Sequence, residues 1–140
     1  MATANDSSLL HLLHRAMQVG TERFARELGD TDLTARQLVI LKAIAANEGA
    51  SQTAIVNLTG VDRSTLADVV KRLLQRRLLA RKRSKADARA YQLTLTDDGR
   101  AAVAQAEPIL KAVEKQLLAA IPAKQRAELL TMLDTLATAA

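Results

Sequence analysis

Apolar positions along this chain recur with two different periods, and the switch between them divides it. From about Asp6 to Leu28, the residues Leu9, Leu12, Leu13, Ala16, Met17, Gly20, Phe24 and Leu28 keep helical spacing. That spacing predicts one long amphipathic helix, ended by Gly29-Asp30, with Arg15, Glu22, Arg23 and Arg26 on its other face. Thr34-Ala-Arg-Gln37 has the form of a capping box, so a second helix opens there with Leu38, Leu41, Ile44 and Ala45 inward. It should stop near Asn47-Glu-Gly49. Ser51 then caps a short helix to about Leu58, and Thr59-Gly60 turns the chain, because glycine tolerates a left-handed backbone. Asp62 caps the next helix, to about Arg76, with Leu66, Val69, Val70, Leu73 and Leu74 facing a core.

The period then falls to two. Leu78 to Arg83 reads as one strand and Tyr91 to Thr96 as its partner, with Tyr91, Leu93 and Leu95 on one face and Gln92, Thr94 and Thr96 on the other. Between them Ser84 to Arg89 forms a polar, basic tip. Thr96-Asp-Asp-Gly99 starts another helix, with a hydroxyl cap and two acids at the positive end of the dipole. It runs to about Ala120 through Val103, Ile109, Leu110, Val113, Leu117 and Leu118, and Pro108 should kink or split it. Pro122 suits the first position of a last helix carrying Leu129, Leu130, Leu133 and Leu136.

Helix, turn, helix and β-ribbon in that order predict a mostly α (α+β) winged helix-turn-helix with a two-stranded wing. Long helices flank it on both sides, and a monomer of 140 residues offers neither enough surface to be covered. Residues 33–96 are therefore expected to be a DNA-binding domain, and 1–32 with 97–140 a helical region that joins a homodimer.

Composition narrows the chemistry. Apolar residues make up 49% but aromatics only 1%, so the core must be Leu, Ala, Val and Ile. Cysteine is absent, which removes disulfides, thiol redox sensing, Cys-zinc sites and Cys nucleophiles. No long uncharged apolar run exists, and MATANDSS lacks the basic start and apolar centre of a signal peptide, so a soluble, cytoplasmic protein is expected.

Charge says more. Asp62 to Arg89 holds ten basic residues against three acids, a local +7 in a chain whose net charge is +5. A basic segment on a near-neutral body is the footprint of a polyanion binder, although charge runs in general are more often solvated faces. On the helix after Asp62, Ser64, Asp68, Lys71, Arg72 and Gln75 point away from the core, and Arg63 and Thr65 project from its first turn. Such a face suits phosphates and base edges. Asp68 can pair with Lys71 or Arg72, three and four residues on, or accept from a cytosine amino group. Arg83 and Lys85 add charge to the wing. Arg89 at its tip could enter a narrow minor groove or simply be solvated.

These residues resemble the MarR family of transcriptional regulators over nearly the whole chain. Asp87-Ala-Arg89 followed by Leu93-Thr-Leu-Thr96-Asp-Asp-Gly99 is similar to the family's wing signature, and Val61-Asp-Arg-Ser-Thr-Leu66 to the start of its recognition helix. Thr34-x-x-Gln37 matches the opening of its second helix, and Pro108 falls where such proteins often carry a proline. Arg77 departs from the pattern, standing where many relatives have glycine. The resemblance implies a triangular homodimer that places a winged helix on each half of a pseudo-palindromic operator in duplex DNA. Ser64, Thr65, Lys71 and Arg72 would lie at the major groove and Arg89 in the minor groove, with Asp87 orienting it. Ser51 and Thr53 would touch phosphates.

The family often releases DNA when a small molecule, commonly an aromatic acid or phenol, binds between the dimer helices and the DNA-binding lobe. His11, His14, Arg15, Met17 and Phe24 are the candidates for that contact, although plain interface or surface positions are the simpler explanation of His11 and His14. Two His three residues apart with no Cys are a thin ligand set for zinc, so no metal is expected. Nor does any nucleophile–base pair or Gly-rich phosphate loop suggest catalysis, and neither catalytic residues nor a cofactor are assigned. A winged helix with an architectural or protein-partner role, and no effector, is the alternative.

Overall fold

The computed structural model describes residues 8–29, 33–86 and 91–139. Among these residues six helices and one antiparallel ribbon follow in the order α1 (Leu9–Leu28), α2 (Ala35–Ala46), α3 (Gln52–Thr59), α4 (Arg63–Gln75), β1 (Leu79–Arg83), β2 (Tyr91–Leu95), α5 (Asp97–Leu118) and α6 (Ala123–Thr138). The winged helix-turn-helix expected from the pattern is the fold observed.

Side-chain caps set most of the helix starts. Ser8, Thr34, Ser51, Asp62 and Thr96 each accept the N–H three residues on, using donors that the first helical turn leaves unpaired. Thr34 and Gln37 complete the capping box reciprocally, at 3.0 and 3.1 Å. The start of α1 is thus Leu9 behind Ser8, while Asp6 lies outside the described residues.

One core holds the lobe together. Leu38, Ile40, Leu41 and Ile44 of α2, Ile55 of α3, and Leu66, Val69, Val70 and Leu73 of α4 meet Leu78, Leu79, Leu93 and Leu95 of the wing, with Ala106 of α5. Each fully buried Leu or Ile contributes about 1.5–3 kcal/mol from burial alone. Phe24 and Leu28 bring the end of α1 into the same core.

Four expectations need correction. Ala45 is exposed, and Ile40 takes the inward place instead. On α1 Arg23, expected outside, is half-buried, while the apolar stripe is left uncovered by this chain as expected, with only Phe24 and Leu28 buried. Pro108 does not split α5, which runs as a single element; its ring and Ala104, whose carbonyl loses its partner, both face solvent, where water can satisfy it. Pro122 is the N-cap of α6 rather than its first helical residue. As expected of a flanking helix that one chain cannot cover, α6 buries no residue, and Leu130, Leu133 and Leu136 lie open with Met132.

Beside the ribbon lies a contact that periodicity did not announce. Leu93 accepts from Gly49 N–H and donates to the Ala50 carbonyl, and Ser51 bridges Gln92. The segment before α3 therefore acts as a minimal third strand and pins the wing to the helix-turn-helix.

Candidate nucleic-acid interface

α4 is the best-defined surface of the lobe. Leu66, Val69, Val70 and Leu73 are buried, while Arg63, Ser64, Asp68, Lys71 and Arg72 on the far side are exposed. Its N-terminus is held tightly. The Asp62 carboxylate accepts from the Thr65 N–H at 2.8 Å, the Thr65 hydroxyl at 2.8 Å and the Ser64 hydroxyl at 2.9 Å. The Thr65 backbone bond first, then the Thr65 and Ser64 hydroxyls, hold the Asp62 carboxyl below its usual range, and Arg36 on α2 adds a little. Both hydroxyls are thus turned to Asp62, with Thr65 half-buried and Ser64 exposed.

Further along, Asp68 Oδ2 lies 3.3 Å from Arg72 Nε, so the internal pair, one of the alternatives open for Asp68, is the one formed. Lys71 has no ion-pair partner among the described residues. At the start of the helix Arg63 Nη1 donates to Thr53 Oγ1 at 3.5 Å and joins α4 to α3. Ser51 is half-buried, its hydroxyl oxygen accepting the Ala54 N–H at 3.1 Å, whereas Thr53 is exposed.

The exit from α4 carries the departure seen at Arg77. Its φ is 59°, so this arginine adopts the left-handed conformation glycine would take more cheaply. The reason is local wiring. Leu78 N–H reaches the Leu73 carbonyl and Arg77 N–H the Leu74 carbonyl, both at 3.0 Å, which is a Schellman ending. The Thr96 hydroxyl donates to the Arg77 carbonyl at 2.6 Å and accepts from Gly99 N–H at 3.0 Å. Thr96 thus ties the end of α4 to the start of α5. Gly99 is required beside it, because a Cβ there would overlap the Leu78 carbonyl oxygen and lie 3.1 Å from its carbon. The Thr-x-x-Gly spacing is the mark of that close approach.

On the wing, the Arg81 and Arg83 guanidiniums each lie 5.6 Å from the centre of the Tyr91 ring. Arg83 sits directly opposite Tyr91 in the ladder and Arg81 two residues away on the same face. An open notch of about 240 Å³ lies between this stack and α3, lined by Ser51, Gln52, Thr53, Arg81, Tyr91 and Leu93. Lys82 and Lys85 are exposed. Asp87 and Arg89, the wing-tip pair, lie outside the described residues. Arg36, Gln52 and the role of Arg81 were missed from sequence, since only the packing of α2, α3 and the wing brings them to this side.

The effector candidates are separate from this surface. His11, His14, Arg15 and Met17 are exposed on α1, whereas Phe24 is 1% exposed and packs in the core. Among the described residues no group of three or more His, Cys, Asp or Glu could hold a metal ion. No described helix is long and apolar enough to cross a membrane.

The helix, turn, helix and ribbon, with one polar helix face beside a basic wing, define a winged helix-turn-helix protein. The MarR family model matches residues 31–90. The transcriptional regulator HosA of Escherichia coli is 32% identical over 116 residues, 83% of this chain and 84% of that protein. Among solved structures, that of Bordetella bronchiseptica BpsR, whose DNA binding is regulated by 6-hydroxynicotinic acid, covers 100% of both chains at 30% identity with a TM-score of 0.88. The transcriptional repressor CouR bound to a 23-mer DNA duplex is 33% identical, covering 95% of this chain and 94% of that one, at a TM-score of 0.84. The chain belongs to the MarR family and is a DNA-binding transcriptional regulator.

Proposed function

We propose that the chain is a homodimeric, cytoplasmic repressor that releases its operator on binding a small aromatic acid. The observation that carries the DNA half is α4 itself, whose apolar face is buried while Ser64, Asp68, Lys71 and Arg72 stand out in line. In this reading residues 33–96 bind DNA. Arg63, Ser64, Thr65, Asp68, Lys71 and Arg72 meet the major groove, and Ser51, Thr53, Arg83 and Lys85 meet phosphates. Arg89, oriented by Asp87, enters the minor groove.

Residues 1–32 and 97–140 join the dimer. What supports this is the uncovered apolar surface on α1 and α6, with Leu9, Leu10, Leu12 and Met17 on one and Leu130, Met132, Leu133 and Leu136 on the other. Leaving so much apolar surface in water is costly, and a second copy would cover it. The effector would then bind where the partner's helices close over His11, His14, Arg15 and Met17, with Phe24 further along α1. A guanidinium and two imidazoles suit a carboxylate, and the regulation of BpsR by a ring acid supports that class.

The test is selection from genomic duplex fragments, followed by salt titration, sedimentation and addition of single-ring aromatic acids. The reading expects an inverted repeat with half-sites about one turn (~34 Å) apart, a steep salt slope, and release by one of the acids. A monomer with no enriched sequence would refute it.

A further inference from the structure

We infer that Asp68 is a positioning residue that aims Arg72 at a guanine, so that α4 reads that base by an end-on guanidinium fork. The inference rests on the reading of α4 as the recognition helix. Ser64, Asp68 and Arg72 stand at four-residue intervals, so one stripe of α4 carries all three, and all are exposed. Asp68 Oδ2 is 3.3 Å from Arg72 Nε, with the two side chains 60% and 65% exposed.

An exposed pair four residues apart on a helix adds little to stability. A carboxylate on a surface that meets phosphates also opposes binding, since it cancels a cation that would otherwise release counterions. Neither stability nor general affinity therefore accounts for an acid in the middle of this stripe. Orientation does. The guanidinium is planar and has five N–H donors. With Nε turned toward Asp68, the two terminal amino groups remain as a two-donor fork. Two parallel donors match guanine O6 and N7 in the major groove, a pattern that adenine, cytosine and thymine do not present. A free arginine could instead turn to a phosphate; one held by Asp68 is both less mobile and, as a pair, electrically neutral.

The experiment uses the full-length protein and a labelled duplex carrying its selected site, with each guanine replaced in turn by adenine or by 7-deazaguanine, which lacks the N7 acceptor. Wild type should lose about tenfold in affinity or more at one guanine per half-site. In Asp68→Ala every duplex should bind more tightly, because a negative charge leaves the interface, while the loss at that guanine falls to about threefold or less. Asp68→Glu should restore the discrimination, and Arg72→Lys, a point charge without a fork, should abolish it. Should Asp68→Ala tighten all duplexes equally and keep the full guanine penalty, Asp68 is only a surface ion pair and the inference falls. If Arg72→Lys retains the discrimination, it falls as well, while the regulator reading stands. Failure of wild type to select any sequence overturns that reading and this inference together.

Discussion

Replacing Arg77 by glycine should stabilise the protein, although arginine is the better residue almost anywhere else. Arg77 has φ 59°, imposed by the Schellman bonds that end α4 and by the Thr96 hydroxyl on its carbonyl. A residue with a Cβ is disfavoured there by roughly 1–2 kcal/mol, from its clash with the following carbonyl oxygen. Glycine relieves this but loses more backbone freedom on folding, about 0.5–1 kcal/mol. Taking the middle of each range, the difference leaves Arg77→Gly more stable by about 0.75 kcal/mol. In urea, with a slope of about 2 kcal/mol/M, the midpoint should rise by about 0.3–0.5 M at fixed protein concentration. Arg77 also stands in a strongly basic stretch, where removing any positive charge relieves repulsion. Arg77→Ala separates the causes, since it removes the charge but keeps the Cβ. If the alanine variant gains as much as the glycine one, the backbone argument is wrong.

Other outcomes follow from the same contacts. Gly99→Ala drives a methyl into the Leu78 carbonyl and should cost about 2 kcal/mol or more; an unchanged thermal midpoint would show that α5 can move aside freely. Thr96→Val removes both the α5 cap and the bond to Arg77, for a loss of about 1–2 kcal/mol in chemical denaturation. The Lys42 ammonium, 3.0 Å from Glu107, holds that carboxyl below its ordinary 4.5. A lowered folded value means the contribution is complete above the unfolded value and lost as pH falls through the folded one. The stability advantage of wild type over Glu107→Gln should therefore shrink below pH 4.5, and a growing advantage would contradict the pairing. Arg89→Ala should weaken binding most at sites with a narrow minor groove, as read by titrating A·T-rich and G·C-rich operators side by side.

Local chemistry was legible in the chain because it acts over three or four residues. Thr34 with Gln37, Ser51, Asp62 and Thr96 are caps on sight, and the exposed face of α4 follows from the helical step alone. Asp68 needed only its neighbour four residues on, although the sequence left a cytosine contact open. Single inward positions were less secure, as Ala45 and Ile40 show, because an apolar residue at the edge of a stripe can fall on either side of the packing boundary.

What belonged to the tertiary structure alone came from backbone groups distant in sequence. Nothing in the residues Gly49 to Ser51 announces a strand, yet Leu93 pairs with them because the wing folds back over α3. The same holds for Thr96 on the Arg77 carbonyl and Gly99 against Leu78, where a motif in the sequence has its cause about twenty residues earlier. Composition and periodicity by themselves determined a mostly helical winged fold with a basic recognition unit, since both act within single elements. Which polar side chains share a surface, and which apolar faces one chain leaves uncovered, depends on how those elements meet, and no local pattern encodes that.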